Sequence, residues 1–384
     1  MTEAELQLLI QQEFPLADNL IHLNHAAVGP WPLRARNAAV NFADENMRLG
    51  STNYLQWLQK ENLLRKQLAN LINAKSSGEI ALSKNTSEAL SLVAYGYDWQ
   101  PGDEVIISDQ EFPSNRIVWE SLQSRYGVKV ITAQLHSHPS PELAILNCLT
   151  PRTRLVSVSS IQYGTGLKLN LHKLGSELRT SNTLFCVDAI QSVGASQIDV
   201  ERDHIDFLMA DGHKWMLGPE GLALFYVRKE KQEQLRLNQF GWHMVKDRGN
   251  YDRQDWEPAD NATRFECGSP NMLATHTLSA SLELLQLIGI ESIETLTQQN
   301  VRFLAEALAD NPKVSIITDL TPGRFNGILT FKVSGIESQS LYEQLKTKGV
   351  LCACRGGGVR FSPHFYTSKS ALTTAVGIVE TCIR

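Results

Sequence analysis

Short runs of apolar and β-branched residues alternate with segments of helical periodicity through the middle of the 384-residue chain. The runs cover residues 104–108, 154–160, 183–188, 207–211 and 222–227. Continuous apolar runs separated by helical segments are typical of a parallel sheet that helices cover on both faces. The sequence therefore predicts an α/β core.

The pattern changes after about residue 270. Two helical segments, at 278–289 and 292–310, precede a strand-like run at 326–334, and strand and helix then alternate on a smaller scale. The chain also exceeds the length of an ordinary domain, about 100 to 200 residues. We therefore expect a large domain over 26–270 and a smaller C-terminal α+β domain over 271–384.

Charge and composition argue against several classes of partner. The net charge is -5, and the chain has no block of Lys and Arg that would bind nucleic acid or an anionic membrane. The N-terminus lacks the features of a signal peptide, and no apolar run approaches the roughly 18 residues that span a bilayer. The six cysteines are scattered without metal-site spacing. We expect a cytoplasmic protein without nucleic-acid, membrane or metal partners.

The most informative segment is ADGHKWMLGPEG at 210–221, where Lys214 lies between two strand-like runs and precedes a glycine-rich turn. A lysine in this position suits pyridoxal 5'-phosphate (PLP), because its amine condenses with the cofactor aldehyde and later moves the substrate α-proton as a base. His213 would then lie beside the cofactor phosphate. An isolated lysine in a turn is usually solvated, so this interpretation depends on the neighbouring motifs.

The segment VDAIQ at 187–191 supplies such a motif. Asp188 ends an apolar run, and the carboxyl end of a parallel strand faces the crevice where ligands bind. There its carboxylate would keep the pyridine nitrogen of PLP protonated, and Gln191 would donate to the ring oxygen. Taken alone, an aspartate here is more often a helix N-cap. The combination with Lys214 favours the cofactor role.

These two segments, together with FECGSPN at 265–271, resemble the class V aminotransferase and cysteine desulfurase family of fold type I PLP enzymes. The resemblance covers nearly the whole chain. It implies a large domain with a mostly parallel, seven-stranded type of sheet and a smaller C-terminal α+β domain. It also assigns Lys214 to the Schiff base, Asp188 to the pyridine nitrogen, Gln191 to the ring oxygen and His213 to the phosphate.

Hydroxyl residues at the start of a helix extend the resemblance. Thr86 and Ser87 match the family's phosphate-binding positions, and a helix N-terminus offers free N–H groups to a phosphate. Asn85 and Glu88 also fit a simple capping box, so the segment has a structural explanation as well. Both roles are compatible.

Two further cofactor contacts follow from the resemblance. Phe112 occupies the position where the family places an aromatic ring over the cofactor, and a flat side chain there holds the pyridine ring by burying its face. Ser269 matches a loop that reaches the phosphate of the neighbouring subunit. The resemblance thus implies a homodimer with active sites at the interface.

Substrate contacts are expected from both ends of the chain. Residues 1–25 resemble a family segment that contributes to the small domain and the substrate pocket, and the motif CRGGGVRFSPHFY at 354–366 holds two arginines. A guanidinium binds a carboxylate through two hydrogen bonds. His25 is equally compatible with a structural loop histidine, and Arg355 with a surface role; Tyr163, Trp242 and His243 are additional pocket candidates. The predicted substrate residues are Asn24, His25, Ala26, Arg355 and Arg360.

The resemblance leaves the reaction open. The family label predicts an aminotransferase acting on an α-amino acid. Alternatives are a cyst(e)ine C–S β-lyase or desulfurase-like enzyme, an amino-acid epimerase and kynureninase-like hydrolysis; a non-catalytic PLP-binding protein is a remote alternative.

Phe112 replaces the histidine usual in desulfurases, and Cys352 and Cys354 lie in a strand-like run before a short glycine loop. These departures count against a persulfide-forming desulfurase. A nicotinamide-dependent dehydrogenase is excluded because no G-x-G-x-x-G turn follows a first strand.

Overall fold

The structure is a computed structural model that describes residues 2–383. The helices of this range are α1 (Glu3–Glu13), α2 (Leu33–Leu49), α3 (Tyr54–Leu71), α4 (Thr86–Gly96), α5 (Ser114–Tyr126), α6 (Pro141–Leu146), α7 (Leu171–Thr180), α8 (Met272–Ile288), α9 (Ile290–Ala309), α10 (Ser338–Thr347) and α11 (Lys369–Ile383). The strands are β1 (Ile21–His22), β2 (Ile80–Ser83), β3 (Glu104–Ser108), β4 (Lys129–Ala133), β5 (Thr153–Ser159), β6 (Leu184–Asp188), β7 (Phe207–Asp211), β8 (Ala223–Val227), β9 (Val314–Ile316), β10 (Leu329–Val333), β11 (Val350–Leu351), β12 (Ala353–Arg355) and β13 (Gly358–Phe361).

The central sheet has seven strands in the order β2-β8-β7-β6-β5-β3-β4. Strands β3 to β7 run parallel to one another, whereas β8 pairs antiparallel with both β7 and β2. The chain leaves β3 towards β4 at one edge and returns to place β5 on the other side of β3. In open α/β sheets, ligands bind beyond the carboxyl ends of the strands at such a reversal of strand order.

Helices cover both faces of this sheet, as the continuous apolar runs predict. Val187 and Leu208 point to one face, where they pack with residues of α3, α7 and α8. Cys186 and Met209 point to the other face and pack with residues of α4 and α5. Because both faces are buried, each central strand is apolar along its whole length rather than alternating. The predicted α/β class and mostly parallel sheet are confirmed.

The five predicted strands correspond to β3, β5, β6, β7 and β8, with ends that differ by at most one residue. The sequence pattern did not find β2 and β4, which lie at the two edges of the sheet. Strand β4 is only partly buried and contains Lys129 and Thr132, and β2 has only four residues, so neither forms a long apolar run. The antiparallel direction of β8 was also not predicted, since periodicity carries no information on direction.

A second, four-stranded antiparallel sheet has the order β12-β13-β10-β9. It packs with α9, α10 and α11 in a core of its own, which also takes in Leu23 from the N-terminal segment. Strand β1 pairs with β11, so the first residues of the chain join this C-terminal unit. Helix α8, although it follows residue 270, packs in the core of the central sheet. The domain limits at 25 and 270 stay predictions.

Within residues 2–383 no single helix is both long and apolar enough to cross a membrane. The α8–α9 pair meets that requirement only when its two helices are taken together, and they are bent by 83°.

A buried ion-pair network ties α3 to the segment that follows β8. Arg65 of α3 donates to the carboxylates of Glu61 and Glu266, and Glu266 also accepts from the backbone N–H of Leu82 at 2.8 Å. Glu61, His243 and Glu266 place three possible metal-ligand atoms within 4.8 Å of one another. The guanidinium of Arg65 already occupies both carboxylates, and its positive charge opposes a bound cation.

We expect Glu266→Ala to lower the free energy of unfolding by about 3–5 kcal/mol, because it leaves Arg65 buried with half of its charge compensation removed. The matched control Glu120→Ala removes the exposed i,i+4 pair with Arg116 and should cost less than about 1 kcal/mol. Urea titration of both variants, followed by circular dichroism, measures the two losses. Equal losses in the two variants would contradict the network's role.

Candidate active site

A cavity of about 610 Å³ opens where the carboxyl ends of β3, β5, β6 and β7 meet the C-terminal unit. Its walls combine residues from both ends of the chain with the loops after these strands. Ten of the residues predicted from sequence line it: Asn24, Ala26, Thr86, Phe112, Asp188, Gln191, His213, Lys214, Arg355 and Arg360.

Lys214 lies in the loop between β7 and β8, as the sequence predicts. The backbone N–H of Gly29 donates to the carbonyl of His213 at 2.8 Å, and a Cβ at Gly29 would clash with the carbonyl oxygen of Lys214. Only glycine therefore allows the N-terminal segment to approach the lysine loop so closely. Burial lowers the pKa of the Lys214 amine to about 8, although the nearby charge of Asp188 opposes this effect.

Asp188 ends β6 and is 2% exposed. Its Oδ1 accepts from the backbone N–H of Ile190 at 3.0 Å, and its Oδ2 accepts no hydrogen bond from residues 2–383. Burial raises the pKa of this carboxyl to about 7, while the hydrogen bond from Ile190 and the charge of Lys214 lower it. A cationic N–H beside Oδ2 would keep the carboxylate charged. The pyridinium nitrogen of PLP fits this requirement.

Both polar atoms of the Gln191 side-chain amide form hydrogen bonds. Its Nε2 donates to the carbonyl of Ala26 at 3.1 Å, and its Oε1 accepts from the indole N–H of Trp215 at 2.8 Å. An amide nitrogen carries two protons, so one of them is left for a ligand in the cavity. This geometry is compatible with the predicted hydrogen bond to the ring oxygen of PLP, which stays a prediction.

The opposite end of the cavity suits a phosphate. Thr86 is the first residue of α4, so free N–H groups and the positive end of the helix dipole lie there. Burial lowers the pKa of His213 to about 4, which keeps its imidazole neutral and leaves it one N–H to donate. Asn85 caps the helix by accepting from the N–H of Glu88 at 2.9 Å. The side chain of Glu88 accepts from the N–H of Lys84 instead of Asn85, so the N-cap is confirmed but the predicted reciprocal capping box is not formed. The phosphate role stays a prediction.

Two predicted phosphate contacts do not line the cavity. Ser87 is exposed, and its hydroxyl donates to the hydroxyl of Ser114 at 2.8 Å. Ser114 itself lines the cavity. Ser269 is exposed in the segment between β8 and α8, beside a separate cavity of about 270 Å³. Its predicted contact with a neighbouring subunit stays a prediction.

Phe112 lies at the cavity wall and is 42% exposed. Its ring is held edge-on by Tyr163, with the ring centroids 5.1 Å apart. The Nζ of Lys214 lies 5.8 Å from the centroid of Phe112. An aromatic face next to the lysine amine is the position that the predicted stacking role requires.

The two arginines of the C-terminal motif both face the cavity but differ in burial. Arg360 is 3% exposed; its Nη1 donates to the carbonyl of Tyr163 at 2.7 Å, and its buried Nε finds no acceptor within residues 2–383. Burial lowers its pKa to about 10. Arg355 is exposed and donates to the carbonyl of Cys354. The unpaired Nε of Arg360 fits an anionic substrate group.

His25 is the predicted substrate residue that the structure does not bring to the cavity. It is fully buried, with Nδ1 2.8 Å from the carbonyl of Ser362 and Nε2 2.6 Å from the hydroxyl of Tyr366. Both ring nitrogens are therefore engaged in joining the N-terminal segment to the C-terminal motif. This position does not support a substrate contact and agrees with the alternative, a structural histidine.

Of the three additional pocket candidates, Tyr163 lines the cavity, whereas Trp242 lines a separate one of about 420 Å³. His243 lies in the ion-pair network, 3.7 Å from Glu266. Within residues 2–383, Trp242 and His243 therefore do not border the cavity of Lys214. Both residues follow β8 in the sequence. Because β8 is antiparallel to β7, the chain leaves β8 at the edge of the sheet opposite to the carboxyl ends of the parallel strands.

The sequence analysis missed a buried carboxylate behind the site. Glu111 accepts hydrogen bonds from the N–H of Ser159 at 3.0 Å, from Asn115 at 2.8 Å and from Ser108 at 2.6 Å. These contacts join the ends of β3 and β5 below Phe112. A glutamate between a strand and a helix resembles any loop residue in sequence, so no pattern pointed to it.

Comparison with known families decides the assignment. The family Aminotransferase class-V matches residues 41–369. The chain belongs to the class V aminotransferase family. PLP is the cofactor, and solved structures of similar fold carry it.

A probable cysteine desulfurase of Pyrococcus abyssi is 27% identical over 98% of this chain and 97% of that protein. An isopenicillin N epimerase of Streptomyces clavuligerus is 26% identical over 93% of each chain.

Solved structures share the fold of this class V protein. The cysteine desulfurase CsdA of Escherichia coli superposes with a TM-score of 0.88 and 24% identity, covering 100% of this chain and 98% of that one. The cystine C–S lyase C-DES, in complex with its product cysteine persulfide, superposes with a TM-score of 0.89 and 23% identity, covering 96% and 99%. The predicted fold type I architecture is confirmed.

The lowered pKa of Lys214 predicts how the cofactor-free protein reacts with added PLP. Only the neutral amine attacks the aldehyde, so the rate should rise with pH and level off above about 8, instead of above the ordinary lysine value of 10.5. Asp188→Asn removes a charge that raises the lysine pKa, so its midpoint should shift to lower pH. Stopped-flow absorbance measures both profiles, with Lys214→Ala as background. A wild-type midpoint near 10.5 would show that burial does not lower this pKa.

Proposed function

We propose that this protein is a PLP-dependent C–S β-lyase that removes sulfur from cysteine or a cysteine derivative, releasing pyruvate and ammonia. The observation that carries the proposal is a cavity that brings together Lys214, the buried arginine Arg360 and an aromatic wall formed by Phe112 and Tyr163. Desulfurases among the relatives and a cystine lyase among the similar structures support it.

The cavity residues would hold PLP with its pyridine nitrogen at Asp188, its phosphate at the start of α4 beside His213, and its aldehyde carbon at Lys214. When bound, PLP supplies an electron-accepting ring that stabilises negative charge at the substrate Cα. The unpaired Oδ2 of Asp188 supports this orientation. It is the acceptor, buried at the end of a strand, that a protonated ring nitrogen needs.

Arg360 would orient the substrate for loss of its α-proton. A two-pronged contact with the α-carboxylate fixes the direction of the Cα–H bond relative to the cofactor plane. Lys214 would then take this proton, since a pKa of about 8 leaves a useful fraction of its amine neutral near physiological pH. Acid-base catalysis is most efficient when the pKa lies near the working pH.

Phe112 supports elimination of sulfur. A phenylalanine donates no proton, so it favours a leaving group that is stable as an anion over one that needs a proton from this side chain. Sulfur anions do so readily, and the leaving sulfur departs faster as the acidity of its conjugate thiol rises. The histidine that desulfurases carry at this position is absent, and Cys354 lies on a strand rather than on a long loop.

An aminotransferase, the first choice from sequence, has weaker support. Its label comes from the family name, and a relative described as the uncharacterized aminotransferase YcbU of Bacillus subtilis is 29% identical over 85% of this chain. Several similar proteins are instead described as cysteine desulfurases or probable cysteine desulfurases. The predicted homodimer, with Ser269 completing the other subunit's site, remains part of the proposal.

Incubation of the PLP-loaded protein with a panel of amino acids should yield pyruvate and sulfide or persulfide from cysteine or cystine, because elimination ends in these products. Lys214→Ala should reduce the yield to background. Pyruvate is followed with lactate dehydrogenase, and sulfane sulfur by cyanolysis. Accumulation of the pyridoxamine form together with a matching keto acid, without pyruvate, would establish an aminotransferase and reject the lyase.

Replacing Arg360 should mainly weaken substrate binding. Arg360→Gln removes two charge-assisted hydrogen bonds and should raise KM about 100-fold. Arg360→Lys, which keeps the charge but not the fork, should recover part of the loss. Steady-state kinetics measure KM and kcat, with Arg116→Gln as the control at an exposed arginine on α5. An unchanged KM in Arg360→Gln would mean that another group binds the α-carboxylate.

A further inference from the structure

Asp211 brings a carboxyl group to the end of the cavity that suits a phosphate. It is the last residue of β7, and side chains two apart on a strand point to the same face of the sheet. Phe207 and Met209 therefore share its face, and both pack in one core with Leu90 of α4. The carboxyl of Asp211 continues this face towards the first turn of α4 and lines the cavity.

Two polar side chains at this end of the cavity are buried without a hydrogen-bond partner. Asp211 is 8% exposed, and Thr86, the first residue of α4, is 4% exposed. Within residues 2–383, neither the Oδ1 of Asp211 nor the Oγ1 of Thr86 forms a hydrogen bond. Both residues line the cavity. Buried polar atoms are usually hydrogen-bonded, because an unpaired one costs free energy, so these two atoms point to a ligand.

Capping of α4 does not explain Asp211. Asn85 is the N-cap and accepts from the N–H of Glu88. The carboxylate of Glu88 in turn accepts from the backbone N–H of Lys84. At this end, α4 therefore offers Asp211 the hydroxyl of Thr86 and the positive end of the helix dipole.

The charged groups around Asp211 come from the loop that follows it and from the neighbouring strand. They are Lys214 and Glu220 of the β7–β8 loop and Asp188 at the end of β6. Burial raises the pKa of the Asp211 carboxyl to about 6; contacts with Thr86 and the charge of Lys214 oppose this rise, and the charge of Glu220 adds to it. The carboxyl therefore exchanges its proton close to neutral pH.

A carboxylate at this position opposes a phosphate. An ionised carboxyl only accepts hydrogen bonds, as do the oxygens of a phosphate dianion, so two anions meet unless one of them holds a proton. His213, 3.9 Å from the Oδ2 of Asp211, supplies no charge, because burial lowers its pKa to about 4. A phosphate ester loses its second proton with a pKa of about 6, close to that of Asp211.

Resting on the proposed orientation of the cofactor, we propose that Asp211 and the cofactor phosphate share one proton, so that this protein binds PLP less tightly as the pH rises. The proton comes from the carboxyl or from the phosphate monoanion, whichever holds it before binding. Above about pH 7 both free groups are mainly ionised, and binding takes the proton from the solvent. Affinity for the phosphate group then falls about 10-fold for each further pH unit.

Two ligands that cannot react with Lys214 isolate the phosphate. Pyridoxine 5'-phosphate and pyridoxine both lack the aldehyde and differ only in the phosphate, so effects at Asp188 cancel in the ratio of their affinities. In the cofactor-free protein this ratio should fall about 10-fold from about pH 6 to about pH 7.5, below the pKa of Lys214. Calorimetric titration measures it. A ratio that stays level or rises would overturn the proposal.

Asp211→Asn replaces the carboxyl with an amide that donates to a phosphate dianion without an added proton. The ratio should not fall in this variant, and at about pH 7.5 the variant should bind pyridoxine 5'-phosphate about 10-fold more tightly than the unmutated protein. The matched control is Asp206→Asn, at a buried carboxyl that accepts from the N–H of Phe185 outside the cavity, and it should keep the fall. A fall of equal size in Asp211→Asn would reject the role of Asp211.

Phosphorus NMR of the PLP-loaded protein tests the shared proton even if Asp211→Asn does not fold. The signal of the unmutated protein should shift between about pH 6 and about pH 9 as the proton leaves. A signal fixed at the position of a phosphate dianion over this range would overturn the proposal.

These measurements involve no turnover, so failure of the lyase assay rejects the proposed reaction and leaves this proposal to be decided by binding. If pyridoxine 5'-phosphate binds no more tightly than pyridoxine at any pH, the phosphate does not lie at the start of α4. That result would reject the proposed cofactor orientation and the shared proton together.

Discussion

The parallel pairing of β6 with β7 is the constraint on which the site depends. Because the two strands run side by side in the same direction, their carboxyl ends place Asp188 and the loop of Lys214 at one edge of the sheet. A pyridine ring that spans this edge would meet the carboxylate at its nitrogen and the lysine at its aldehyde carbon. Every other element of the site is positioned relative to these two side chains.

Burial shifts the ionisation of the central groups in opposite directions, and each shift suits the proposed chemistry. It raises the pKa of Asp188 to about 7 and lowers that of Lys214 to about 8, because a low-dielectric surrounding disfavours charge of either sign. His213 is kept neutral for the same reason. Asp188 and Lys214 therefore have pKa values close to neutral pH as a consequence of the fold, and a bound cation beside Asp188 would restore its charge.

The substrate side is assembled from the two ends of the chain. Ala26 accepts from Gln191, Gly29 donates to the lysine loop, and His25 connects through its ring to Ser362 of the C-terminal motif. The hairpin of β12 and β13 then brings Arg355 and Arg360 to the cavity of Lys214. Neither guanidinium forms an ion pair among the described residues. The arginines that would bind a substrate anion therefore lie on the C-terminal unit, apart from the residues that would hold the cofactor.

The sequence by itself determined the α/β class and five strands of the central sheet, because continuous apolar runs are local patterns. The motifs around Asp188 and Lys214 also predicted cofactor residues that the structure brings to one cavity. The sequence could not determine the direction of β8, the edge strands, or the buried partners of Glu111 and His25. Those depend on contacts between distant segments. Only the tertiary structure decided that Arg355 and Arg360 share one face and lack acidic partners, since strand register and burial are properties of the folded chain.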